Sequence, residues 1–466
     1  MPSLAVEKRT ANALCALRKV KRSADLYREH VNPQWARLLD VLQMNVRYTR
    51  CLGAELRAED GRRILDFLSG YCVHNTGHNH PYIVQSIQRE LLRNGPAMLQ
   101  SHASDLAGEL AARLIAAAGG RVNKAFFCSS GSEGIEAAIK FSRAHTGRDG
   151  ILCLGGAFHG LTCGALSLMD QSFWRQGFGP LLPGVEAVPF GDLAALGARL
   201  RTRKFAALIA EPIQAEAGVR TPPPGYLETA QDVCREAGTM FVLDEVQTGM
   251  YRIGRFLAGH HFHLEPDMVV LAKALSGGLI PCAAVLFSDA IYDSVYGSLD
   301  RSIVHTSTFS ENNLAMRAGL ATLEVLERER LGRRAAALGE VVRRRLRDAL
   351  SDFEMVKDIR GIGLLNGIEF GAPRRLGLRA PFEVFRKIHP GMFGQVVVMR
   401  LFRDYGILTQ MCGNNFMVLK VAPPLVIEES HADEFVRAIR NVVNLMHTSS
   451  SFWTEAIGLA RRTINV

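Results

Sequence analysis

The sequence has no CxxC pair among its nine cysteines, no apolar run near the ~20 residues that a bilayer crossing needs, and no low-complexity stretch. Cys128, Cys153 and Cys282 sit in apolar, strand-like runs, which reads as buried reduced thiols. No metal site is expected. The N-terminus lacks the apolar core of a signal peptide, so a cytoplasmic protein is the expectation. No basic face interleaved with aromatics and no nucleic-acid reader motif is present, which removes nucleic acid as a primary partner. Charged residues at 22% exclude a mainly disordered chain.

What is present is 466 residues with 48% hydrophobic content, enough for a large buried core and more than one lobe. The excess of 55 Lys and Arg over 46 Asp and Glu gives +9, spread over many segments. Arg343, Arg344, Arg345 and Arg347 belong to an Ala/Leu-rich helical stretch and read as a solvated face. The first 30 residues hold seven Lys/Arg against three acids, with Leu14, Leu17 and Val20 at mixed spacing. This is a basic helix packed on a partner subunit or an arm that touches anionic lipid. Phe452, Trp453, Ile457 and Leu459 near the C-terminus raise the same question.

The middle of the chain alternates β-rich runs with helical stretches, the pattern of a mostly parallel sheet covered on both faces. Seven strands are expected, at 125–128, 150–154, 186–190, 205–210, 240–243, 268–271 and 282–287. Several end in polar or glycine-rich clusters: SSGSEG, GGAFHG, EPIQAE, DEVQTG and AKALSGG. Ligands of open α/β sheets collect at the C-terminal ends of strands, so these clusters should converge on one site. The expected organisation is an N-terminal arm (1–50), a first part of a small domain (51–95), a large domain (96–331), a C-terminal small α+β domain (332–446) and a tail (447–466). No internal repeat is evident.

Ser129 to Gly134 follows a strand and opens a helix, which suits an anion held by backbone N–H groups; an ordinary serine N-cap reads almost the same. Asp244 ends an apolar strand, as a loop cap or a metal ligand also would. Lys273 follows the next strand, where most lysines are merely solvated. Together the three match what pyridoxal phosphate demands: an amine for its aldehyde, an acid for its pyridine nitrogen and an anion seat for its phosphate.

Read as a series, LDFLSGYCVHNTGHNHP (65–81), FFCSSGSEGIEAAIK (126–140), GAFHG (156–160), EPIQAEAG (211–218), LDEVQTGM (243–250), LAKALSGG (271–278), HTSTF (305–309) and VAPPLVI (421–427) resemble the class III aminotransferases, the ornithine, acetylornithine and putrescine type, over most of the chain. The resemblance implies an α/β, fold type I pyridoxal-phosphate transferase. It implies Lys273 as the residue that carries the cofactor and moves the proton, and Asp244 as partner of the pyridine nitrogen. Phe158 would stack on the ring, Gln247 would lie near its phenolic oxygen, and Ser130, Gly131 and Ser132 would hold the phosphate. Thr308 would reach the phosphate of a neighbouring subunit, so a homodimer with shared sites is implied.

Six positions depart from the family. Lys420 stands where amino-acid transaminases carry an arginine that clamps a carboxylate, and Glu216 matches the acid paired with that arginine. Leu161 replaces an arginine after GAFHG, and Met250, Tyr251, Ser310 and Glu311 replace smaller residues. Tyr71 matches a substrate-contacting position. With Tyr71, Glu216 and Lys420 as substrate residues, the expectation is a bulky substrate or one without an α-carboxylate, such as an aldehyde or ω-amine. The wording of the motifs is similar to aminotransferases of hopanoid lipid synthesis, which implies a hopanoid side-chain aldehyde. An aminomutase or decarboxylase of the same fold, or a non-catalytic regulatory homologue, stays open.

Overall fold

The computed structural model describes residues 23–99, 101–388 and 391–464. Its centre is a seven-stranded sheet made of β1 (Lys124–Cys128), β2 (Gly150–Leu154), β3 (Val185–Val188), β4 (Phe205–Ala210), β5 (Met240–Asp244), β6 (Met268–Leu271) and β7 (Ala283–Phe287). The spatial order is β1-β7-β6-β5-β4-β2-β3. The pairs β2/β3, β2/β4, β4/β5 and β5/β6 are parallel. Strand β7 runs antiparallel to both β6 and β1. Every residue of β2, β4, β6 and β7 is buried, because helices cover both faces and leave no solvent side to alternate toward. The strands expected from sequence are these, with ends moved by a few residues where loops begin.

The sequence from Val356 onward forms an antiparallel sheet of Val356–Ile362, Leu365–Phe370, Asn415–Val421 and Gln410–Cys412. Helices Leu331–Leu350 and Phe393–Tyr405 pack on it, and Glu429–Thr448 packs on both helices. Residues before 70 add a second small sheet: Tyr48–Leu52, Glu55–Ala58 and Arg63–Asp66, closed by Ile407–Leu408 pairing in parallel with Leu65 and Asp66. One hydrophobic cluster runs from Leu110 and Leu275 through Leu338 and Ile368 to Trp453. Arg252, fully enclosed, fastens the lobes by donating to the carbonyls of Leu364 (3.2 Å) and Pro423 (2.5 Å), to Ser69 Oγ (3.1 Å) and to Asn75.

One expectation needs correction, and one open question closes. Arg343 is buried: its guanidinium donates to Gly363 O and Asn366 Oδ1, both at 2.8 Å. Helical periodicity places it on the face of Gly339, Leu346 and Leu350, and Gly339 lets the Gly363 carbonyl approach where a Cβ would meet it at 2.0 Å. Arg344 and Arg347 are exposed as expected, while Arg345 is half-buried and pairs with Glu429 and Asp433. The C-terminal tail is the helix Ser450–Ile464, and its Phe452, Trp453 and Leu459 are buried against the protein's own core. Trp453 stacks on Phe393 and donates to Met446 O at 3.0 Å, so this apolar face is spent on folding and is closed to lipid. The basic residues 1–22, with Leu14, Leu17 and Val20, lie outside the described residues. Among the described residues, no helix is long and apolar enough to cross a membrane.

Candidate active site

Strands β4, β5 and β6 are parallel, so their C-terminal ends present side chains along one edge of the sheet. Asp244, the last residue of β5, is buried with its Oδ1 accepting from Val246 N–H at 3.0 Å. Its Oδ2 lies 2.8 Å from His159 Nδ1. Burial opposes charge on this imidazole, but the Asp244 carboxylate outweighs it and raises the His159 pKa. His159 Nε2 is buried with no hydrogen-bond partner. Beside the pair, Glu211 accepts from Phe158 N–H at 2.9 Å, and burial pushes its carboxyl up to about 7.

The turn after β1 ends at Ser130, in extended conformation, whose Oγ caps the helix Gly131–Thr146 by accepting from Glu133 N–H at 3.2 Å. The Glu133 carboxylate in turn accepts from Ser129 N–H at 2.8 Å. Both readings of this loop hold at once: it is a serine cap, and it lines a cavity at the start of a 16-residue helix. Close approach requires glycine at position 160, where a Cβ would come within 2.1 Å of Ser132 Oγ. Ser132 Oγ accepts from Leu161 N–H at 3.3 Å, so this loop and the helix start close on each other.

Lys273 opens a short 3₁₀ turn after β6 with φ of +45°, a left-handed conformation that costs about 1 kcal/mol for a non-glycine residue. Gly277 and Gly278, also at positive φ, complete the turn. Lys273, Asp244, Gln247, Phe158, Ser130, Gly131 and Ser132 all line one cavity of about 490 Å³, a volume suited to a small organic ligand. No group of His, Cys, Asp and Glu suited to a metal ion occurs among the described residues.

A second cluster sits beside this cavity. Lys420, with 0% of its surface exposed, forms an ion pair with Glu216 Oε1 and a 3.3 Å bond to Gln247 Oε1. Gln247 Nε2 donates to the same Glu216 oxygen at 3.0 Å, and Gly413 N–H donates to the other at 2.7 Å. Burial favours a neutral Glu216, yet the Lys420 ammonium wins and lowers its pKa; Lys420 is raised in return, against its own burial. Tyr71 lays its ring 5.0 Å from Lys420 Nζ. It does so from a run of four left-handed residues, Ser69, Gly70, Tyr71 and Cys72, with φ between +48° and +70°. Asp66 Oδ1 holds that run by accepting from the N–H groups of Leu68 and Ser69 at 2.8 and 2.7 Å.

The family model described as aminotransferase class-III matches residues 39–443. The chain belongs to the class III aminotransferases. Aminotransferase PigE from Serratia sp. (strain ATCC 39006) is 35% identical over 91% of this chain, which spans 53% of that protein's length. The ornithine aminotransferase of Toxoplasma gondii superposes with a TM-score of 0.78 at 28% identity, covering 92% of this chain and 99% of its own. An amine transaminase from an uncultivated Pseudomonas species, solved with pyridoxal phosphate bound, gives a TM-score of 0.75 at 27% identity over 86% of this chain and 95% of its own. The architecture is therefore fold type I, and the family's cofactor is pyridoxal 5′-phosphate.

The residues of this class III aminotransferase fit that cofactor on their chemistry: an approachable amine, a buried carboxylate, an aromatic ring and a helix start surround one cavity, and His159 Nε2 and the Gly160 approach leave the polar floor preset. Thr308 is exposed and lines no part of this chain's cavity. Leu161 is 54% exposed. Met250 is buried and Tyr251 packs edge-on to Phe256 and against Gly332, so neither narrows the cavity. Sequence reasoning missed His159, Glu211 and Trp174. The first two lie within quoted motifs, GAFHG and EPIQAE, and a polar residue inside an apolar strand end was the available signal. Trp174 carries no motif, and only the fold brings it against Phe158 at 5.4 Å.

Proposed function

We propose that this chain is a pyridoxal-phosphate transaminase, an enzyme that moves an amino group from an amine donor to an oxo acceptor. The observation that carries the reading is the convergence of Lys273, Asp244 and the Ser129–Ser132 helix start on one cavity. The names of the Serratia relative and of the two solved neighbours, all aminotransferases or transaminases, support it. Pyridoxal phosphate, when bound, supplies an aldehyde that takes up a primary amine and a ring that accepts the electron pair of the adjacent C–H bond. Lys273 Nζ would hold the cofactor, and as a free amine it would be the group that takes up and gives back a proton at the reacting carbon. Asp244 would hold a proton on the ring nitrogen, and His159, bonded to its Oδ2, orients Asp244. Phe158 would flank the ring, Gln247 would serve its phenolic oxygen, and Ser130, Gly131 and Ser132 would hold the phosphate. Thr308 completes the phosphate site of a second copy, so the working unit is a homodimer.

On the substrate side, Tyr71, Glu216 and Lys420 form a closed set. Lys420 has no exposed surface and already holds Glu216 and Gln247, so it offers no free fork to an α-carboxylate. Leu161, in place of an arginine, offers no charge to a second carboxylate. The substrate is an ω-amine or aldehyde on an apolar or polyol body, of which a hopanoid side-chain aldehyde is one example. The test is a half-reaction: purified holoenzyme is mixed with putrescine, long-chain amines and ornithine, and conversion of the cofactor to its amine form is followed in the visible spectrum. Conversion by amines with release of a free oxo product supports the reading. Release of CO₂, or strict preference for ornithine, overturns it.

A further inference from the structure

Phe158, which lines the cavity, touches a series of aromatic rings that lie outside it. The Phe158 ring meets Trp174 edge-on at 5.4 Å, Trp174 meets Phe173 at 4.8 Å, and Phe173 meets Phe416 at 6.3 Å, with interplanar angles of 80° to 85°. The series leads from a ring that lines the cofactor cavity to two aromatic side chains that are 67% and 37% exposed. Phe416 belongs to the small-lobe strand Asn415–Val421, whereas Phe173 and Trp174 follow β2 in the large lobe, so both lobes contribute.

This ladder is fixed in place. Trp174 Nε1 donates to Asn414 Oδ1 at 2.8 Å, and Asn414 Nδ2 donates back to the carbonyls of Gly156 and Ala157 at 2.9 and 3.2 Å. The indole lies against Gly413, where a Cβ would sit 3.4 Å from Trp174 Cζ2 and 3.1 Å from the Glu216 carboxylate. The aromatic surface therefore begins beside the closed Glu216–Lys420 pair. Two exposed phenylalanines on one continuous aromatic surface are a cost in water unless something apolar covers them.

We infer that this ladder is the subsite for the substrate's apolar body, a long aliphatic or polycyclic chain attached to the reacting amine or aldehyde. The inference rests on the transaminase reading above. Its occupant is the substrate, because the ladder starts at Phe158, whose ring lines the cavity, and beside Gly413 and the Glu216–Lys420 pair assigned to the substrate side. A chain with its reacting group at Lys273 leaves past the Glu216–Lys420 pair and Trp174 and runs along Phe173 and Phe416. Affinity then rises with chain length, in KM more than in kcat, since the contacts are the same before and during reaction.

The experiment compares 1-butylamine with 1-decylamine in the half-reaction, for wild type, Phe173→Ser and Phe416→Ser, and separately titrates unreactive 1-decanol while tryptophan emission is followed. Both substituted positions are exposed, so the fold is retained. Wild type is expected to favour decylamine, each serine variant to lose about tenfold in kcat/KM on decylamine and to stay within about twofold on butylamine. Decanol is expected to shift the emission of wild type but not of Trp174→Phe. Equal losses on both amines, no chain-length preference, or an emission unmoved by decanol overturns the subsite. Conversion of a dimer to monomer by Phe173→Ser assigns the ladder to an interface between copies and also overturns it. If neither amine reacts but decanol still reports through Trp174, the transaminase reading fails while the apolar subsite stands.

Discussion

Lys420 and Glu216 are joined as a buried ion pair, and both bond Gln247, which lines the cavity. Both partners are shifted toward their charged forms against the pull of burial, so each depends on the other to stay ionised. Removing one partner of such a pair leaves an uncompensated buried charge, which costs about 3–5 kcal/mol, whereas removing both is close to neutral. Lys420→Met is expected to lower stability by about that amount, and Lys420→Met with Glu216→Gln to regain most of it. Urea unfolding of the two variants checks this; a double variant no better than the single one refutes the coupling.

Substrate choice follows from the same pair. Lys420→Arg introduces a planar fork able to hold Glu216 and a carboxylate together. The ratio of kcat/KM for ornithine over putrescine is expected to rise about tenfold or more. An unchanged ratio, with the protein folded, would falsify the assignment of this position to carboxylate discrimination.

The proposed role of Lys273 predicts two separable losses. Lys273→Ala is expected to abolish the visible band of the lysine-bound cofactor and to reduce amine turnover by about 10⁴-fold, the upper range of general acid–base effects. Asp244→Asn is expected to keep the band, at a shifted position, and to lose about 10²-fold or more in turnover. Spectra and steady-state rates on the same preparations decide between these patterns.

Glu211 sets a pH dependence. Its carboxyl, raised to about 7 in the folded protein, keeps its proton while the unfolded chain has already lost it. The stability it contributes is therefore complete below about pH 4.5 and is lost as pH rises through about 7. Glu211→Gln removes that slope. Wild type is expected to lose about 2–3 kcal/mol relative to the variant between pH 5 and 8, measured by urea melts of the cofactor-free protein. Parallel curves would show that Glu211 does not titrate there.

Thr308 supplies a test of shared sites. If its hydroxyl meets the phosphate in a second copy, Thr308→Ala weakens cofactor binding by about 10- to 100-fold, the value of a hydrogen bond to a charged group. Equilibrium dialysis of cofactor, with sizing in solution, checks both parts. A variant with unchanged affinity places Thr308 elsewhere.

The chain's own residues determined a good deal. Runs such as Phe205–Ala210 and Met268–Leu271 are apolar at every position, which only a strand covered on both faces tolerates, so the central sheet could be read without coordinates. Parallel strands carry their following residues to one edge, which is why Asp244 and Lys273 could be paired from sequence alone. Tertiary structure decided the rest, because it depends on contacts between residues far apart in the chain. The Asp244–His159 bond, the enclosure of Lys420 and the burial of Arg343 each hang on groups that periodicity cannot bring together. The tail helix Ser450–Ile464 has the pattern of a membrane-surface segment, and only its packing on Phe393 shows which apolar surface it covers. Amphipathicity states that a face needs cover; three-dimensional neighbours determine what supplies it.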